Sequence, residues 1–126
     1  MEQIFYKKKL VGILLRRLSK GSVPITDGKE PLQLVTLKHP KGAYLKAHTH
    51  KPKKRVTTRL QECLIMKKGS AKIDLYGIDK KKFKTISLHE GETYILMYGG
   101  YGIRVTKDAE MIEVKNGPFL EDKVLI

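Results

Sequence analysis

His48-Thr49-His50 sets two imidazoles two positions apart, with Gly42 six residues before the first and Glu62 twelve after the second. Histidines at i and i+2 share a face only in an extended strand, where side chains alternate sides. In that geometry their Cα atoms lie about 6–7 Å apart, so both rings can converge on one cation. A carboxylate such as Glu62, brought in by another strand, completes a two-histidine, one-carboxylate set with positions left open for substrate. The first expectation is therefore a metal site in a β-fold.

The elements that would position such a site are short β-like runs punctuated by turns. Residues 32–37 lead to the His39-Pro40-Lys41-Gly42 turn, and residues 44–50 carry the two histidines into a basic stretch, residues 51–59. Residues 60–66 and 71–76 flank Lys67-Lys68-Gly69-Ser70 and read as a hairpin, as do residues 93–98 and 101–106 around Gly99-Gly100. Residues 83–88 and 111–115 complete the set. Residues 19–30, with Gly21, Pro24, Asp27 and Gly28, read as a loop that separates an N-terminal arm from the rest. From residue 32 onward no capped amphipathic helix is legible, so the expectation is all-β, a sandwich or small barrel.

Strand parity indicates which side chains face inward. Tyr101, Ile103 and Val105 share one face against Gly102, Arg104 and Thr106, so Tyr101 is expected to point inside. Glu62 shares a face with Leu60, Leu64 and Met66. A carboxylate there is costly unless it is paired, protonated or bound to a metal.

Composition bounds the class. A chain of 126 residues with 40% hydrophobic content is long enough for one domain with a core of its own. The single Cys63 cannot form an internal disulfide and is expected to be a small buried apolar residue. Lys7-Lys8-Lys9 followed by Leu10–Leu15 has the outline of a signal peptide, but the apolar run is too short and Arg16-Arg17 closes it without a cleavage site. A cytoplasmic location, with no membrane association, is the default expectation. The net charge of +13 raises a polyanion partner. Only five of the 26 cations are arginine, the basic clusters are scattered, and no aromatic platforms interleave with them. A solvated lysine-rich surface is expected over dedicated nucleic-acid binding.

Taken together, Gly42, His48, His50, Glu62 and Gly69 resemble the first motif of the cupin superfamily: Gly, five residues, His-x-His, a gap, Glu, six residues, Gly. The gap is eleven residues, 51–61, in place of the usual three or four. The second motif is eroded: Gly91 and Gly99 fit, Met97 stands where proline is expected, and the strict histidine slot falls on Gly102. Gly99-Gly100-Tyr101-Gly102 is similar to the Gly-Gly-His-Gly turn of small cupins, which sets Tyr101 in place of the fourth ligand. The resemblance covers residues 32–126. It implies a small cupin-type β-barrel (a double-stranded β-helix, or jelly roll) over residues 31–126, with residues 1–30 as a strand arm and loop. It also implies a divalent metal, Fe, Mn, Ni or Zn, on His48, His50 and Glu62.

Other residues enter as candidates around that set. Tyr101 is read as an outer hydrogen-bonding or acid/base group, an unusual ligand, or a filler in a metal-free pocket, the first being preferred. Lys46 shares the strand face of the histidines and suits an anionic substrate group, or else is a stem reaching solvent. Arg55 and Arg59 are weaker candidates of the same kind, and His39 and His89 read as loop residues. Three functions compete. The first is a metal-binding cupin that acts on or senses a small polar metabolite. The second is a metal-independent sugar or sugar-nucleotide isomerase or epimerase, with histidine and tyrosine as base and acid. The third is a non-catalytic polyanion-binding module. A homodimer is expected, the apolar N-terminal runs pairing with another subunit's sheet edge.

Overall fold

The computed structural model describes all 126 residues and contains eight strands and no helix. They are β1 (Glu2–Tyr6), β2 (Lys9–Leu15), β3 (Gly21–Pro24), β4 (Val35–Lys38), β5 (Glu62–Tyr76), β6 (Lys82–His89), β7 (Thr93–Leu96) and β8 (Gly100–Lys115). Six form one antiparallel sheet in the order β1-β2-β7-β5-β6, with β8 added along β5, while β3 and β4 make a separate two-stranded sheet. The large sheet curls into a half-barrel. No helix is long and apolar enough to cross a membrane.

Curling follows from β5 and β8, which are each too long to serve one flat sheet. The first part of β5 pairs with β7 and the second with β6, and β8 follows it across both. Between these parts the β5–β8 ladder slips three times, at Met66/Lys68, Lys68/Ser70 and Ser70/Ala71. Bulges of this kind bend and twist a strand pair. Gly69 sits among them with φ +81°, and a Cβ there would fall on the Asp108 carbonyl of β8. Only glycine combines that dihedral with so close a backbone approach.

Alternation then sorts the faces. The concave face gathers Val11 and Leu14 from β2, Leu64, Met66, Ala71, Ile73 and Leu75 from β5, and Ile86, Leu88, Tyr94 and Leu96 from β6 and β7. Each fully buried aliphatic side chain there contributes roughly 1.5–3 kcal/mol. On the convex face Ile13, Leu15, Cys63, Ile95 and Met97 are covered by Ile25, Leu32 and Leu34. Cys63 is buried as expected, and burial pushes its thiol up to about 11.

The all-β expectation holds, and several finer ones are corrected. Lys67-Lys68-Gly69-Ser70 is a bulged bend inside one strand and not a hairpin turn. Residues 93–98 and 101–106 are not a hairpin either, since β7 pairs with β2 and β5 while β8 pairs with β5. Residues 19–30 are not all loop, because β3 lies within them and pairs with β4. No strand forms over residues 39–61, so the strand expected at residues 44–50 is absent. The N-terminal β1–β2 pair joins this chain's own large sheet through β7.

Candidate functional site

The residues singled out in the sequence fall in two places. His48 and His50 lie on the exposed, strandless segment, their ring centroids 5.1 Å apart. His48 Nδ1 is 2.9 Å from the Lys46 carbonyl oxygen. A carbonyl can only accept, so Nδ1 carries a proton, and in the neutral ring Nε2 is left as an acceptor. Lys46 itself is exposed. Glu62 and Tyr101 lie elsewhere, together on the concave face.

The ladder explains that second grouping. Glu62 stands opposite Leu96 on one side and Lys115 on the other, and Leu64 stands opposite Tyr94 and Glu113. Directly opposed residues project to the same face, which places Glu62, Glu113 and Lys115 beside the core residues Leu64 and Leu96. Tyr101 opposes Leu75 in the other half of β5, and its ring meets Tyr94 edge-on at 6.4 Å. Its inward direction is as parity indicated.

Curvature then closes the group. Tyr101 and Glu113 are twelve residues apart in one strand, about 40 Å if the strand were straight. The Tyr101 hydroxyl nevertheless donates to Glu113 Oε2 at 2.6 Å. Lys115 Nζ lies 3.1 Å from Glu113 Oε1 and 3.8 Å from Glu62 Oε1. Glu62 therefore has a physical reason to sit beside apolar residues: a lysine faces it.

Electrostatics fix the charge states. Burial, the hydrogen bond to Glu113 and the nearby Glu62 push the Tyr101 hydroxyl far above the ordinary tyrosine range. It is a neutral donor at any ordinary pH. Burial works to raise Glu113, but the hydrogen bonds from Tyr101 and Lys115 outweigh it and hold the carboxyl below its usual range. Lys115 is raised by its hydrogen bond to Glu113 and by the charges of Glu113 and Glu62. The result is a neutral phenol, a carboxylate and an ammonium in contact.

Lys115 also forms one edge of a cavity of about 370 Å³, set between residues 57–60 and 115–122. That volume lies in the range of small-ligand sites. Asn116 ties its walls together, accepting from the Gln61 amide at 2.8 Å and donating to the Arg59 carbonyl at 3.1 Å. Arg59 lines the cavity; its guanidinium holds Glu30 at 2.6 Å and lies over the Tyr98 ring at 4.1 Å. Its Nε is buried and has no hydrogen-bond partner.

No group of three or more His, Cys, Asp or Glu side chains is positioned to hold an ion. His48 and His50 form no hydrogen bond with Glu62 or Tyr101, and Glu62 faces Lys115. Sequence reading missed Glu113 and Lys115. Their signal was parity, since Tyr101, Glu113 and Lys115 share a face once residues 100–115 are known to be one strand. No protein-family model, curated protein or solved structure matches this chain.

Proposed function

We propose that this chain is a small-molecule-binding barrel of cupin type that takes a polar, oxygen-rich metabolite where the Tyr101–Glu113–Lys115 cluster meets the cavity. The observation that carries the reading is Lys115, which belongs both to the hydrogen-bonded Tyr101–Glu113–Lys115 cluster and to the cavity wall. The cationic side chains of Arg59 and Lys115 on the cavity wall favour a ligand with acceptor oxygens, such as a carboxylate or phosphate. Glu62 and Glu113 favour hydroxyl groups beside that anion.

Binding or sensing suits this cluster better than proton transfer. A catalytic acid works best with a pKa near the working pH, and Tyr101 is driven away from it. The isomerase or epimerase reading therefore loses its acid. Tyr101 instead orders Glu113 and presents a fixed dipole. The jelly-roll closure of a cupin is part of this proposal.

The test is a calorimetric screen of sugar phosphates, sugar nucleotides and 2-oxo acids. At least one class is expected to bind, with at least tenfold weakening in Lys115→Gln and in Arg59→Gln. If none binds at millimolar concentration, or if binding survives both substitutions, the site is wrong. A second reading rests on His48, whose Nε2 is free to accept, beside the His50 ring. Elemental analysis of protein purified without chelator or added histidines decides it. A stoichiometric divalent ion lost in His48→Ala and in Glu62→Ala would favour the metal-binding function.

A further inference from the structure

We infer that residues 38–55 form a single-stranded nucleic-acid-binding arm, independent of the cavity site. Between Glu30 and Glu62 the chain has no carboxylate, yet it holds Lys38, Lys41, Lys46, Lys51, Lys53, Lys54, Arg55 and Arg59. Eight of the chain's net +13 charges therefore sit in this one stretch. The structure makes that concentration matter. Every residue from 37 to 58 is exposed, and no strand spans residues 39–61.

Of these eight cations only Arg59 forms an ion pair, with Glu30. Lys38 reaches the Leu18 carbonyl at 3.4 Å, and Arg55 the Lys53 carbonyl at 3.4 Å. The remaining cations face water with no anion to hold them. Nothing in the fold uses this charge, and like charges spaced so closely repel one another.

Against the expectation from the sequence, exposed rings do stand among these cations. Tyr44, 78% exposed, stands between Lys41 and Lys46, and the exposed rings of His48 and His50 precede Lys51. Cations that track a phosphate backbone, together with rings on which bases stack, are the two components of single-strand binding. Lys51, Lys53, Lys54 and Arg55 fall within five consecutive residues, close enough for several of them to engage neighbouring phosphates of one strand. A membrane surface is disfavoured, because stable anchoring needs an apolar helical face or a lipid beside the charge, and the fold has no helix.

The test is fluorescence anisotropy of the full chain with a labelled oligothymidylate of about 20 nucleotides, from about 50 to about 300 mM salt. With six cations engaged, log affinity is expected to fall against log salt with a slope of about −4. Replacing Lys51, Lys53, Lys54 and Arg55 together by Gln should bring the slope to about −1. Tyr44→Ala should weaken binding roughly tenfold and leave the slope unchanged. These side chains are exposed and hold no carboxylate, so the variants keep the fold, and calorimetry at the cavity site should be unaffected. No binding at the lowest salt, or binding unchanged in the fourfold variant, overturns the proposal. So does polyglutamate, or vesicles rich in phosphatidylserine, competing as well as the oligonucleotide.

Discussion

Replacing Gly69 with alanine tests whether the bend in β5 and β8 builds the concave site. Gly69, Gly91 and Gly99 share φ +81°, so the backbone cost of leaving glycine is matched at all three. That cost is roughly 1 kcal/mol for a single left-handed residue. A Cβ at Gly91 would meet nothing within 4 Å, and Gly91→Ala is expected to lose only that amount. At Gly69 the added carbon falls on the Asp108 carbonyl oxygen, with the carbonyl carbon at 2.7 Å and Ala109 Cα at 2.8 Å. These are backbone atoms of β8 and cannot turn aside as a side chain would. Overpacking of this kind adds about 1–3 kcal/mol, so Gly69→Ala should lose about 3 kcal/mol, a large part of a typical domain's stability. Gly99→Ala, which strikes the Tyr76 carbonyl, should behave like Gly69→Ala. Urea unfolding of the three variants gives the answer directly. Losses at Gly69 and Gly91 that agree within about 0.5 kcal/mol would refute the claim that close backbone approach at the bulge requires glycine.

The remaining predictions concern pH and an unpaired hydroxyl. The Tyr6 hydroxyl, 2.8 Å from Asp79, and the Lys81 amide hold the Asp79 carboxyl down to about 2 from 3.8. Because the folded value lies below the unfolded one, this contribution is present above about pH 4 and lost as pH falls towards 2. Asp79→Asn should therefore flatten the fall of Tm with pH in that window, and an unchanged slope would show that the hydroxyl–carboxylate contact contributes nothing. Tyr94 is fully buried and its hydroxyl has no partner. Tyr94→Phe removes an unsatisfied group and should raise stability by about 1 kcal/mol in the same urea assay, whereas a loss would mean that the hydroxyl is bonded in solution.

The sequence carried the class of the fold and the local direction of its side chains, but not which strands are continuous. Apolar alternation at Tyr101, Ile103 and Val105 is a property of neighbouring residues; it set Tyr101 against the core correctly, whereas Ile103 and Val105, expected on the same buried face, are exposed. Lys67-Lys68-Gly69-Ser70 is different. A glycine with positive φ occurs both in a hairpin turn and in a bulge, and only the strand on the far side tells them apart. Here β8 runs alongside without a break, so the apparent turn becomes a bend. The same ambiguity hid Glu113, which joins Tyr101 only because two strands fold back together.

The histidines fail as a strand for a related reason. Tyr44, Lys46, His48 and His50 would line one face, and Leu45, Ala47 and Thr49 the other, so neither side offers an apolar stripe to bury. Such a segment has weak register and takes strand form only when a ladder supplies partners. Its lysines and its lack of carboxylates oppose packing against a body that is itself basic. The two halves of the sequence motif are consequently under different forces. Glu62 is fixed by the β5 ladder and by Lys115, while His48 and His50 belong to a charged arm that no element of this chain neutralises. On the two proposals above, an anion is the expected ligand in both places, met by Arg59 and Lys115 on the cavity wall and by unpaired lysines along the arm.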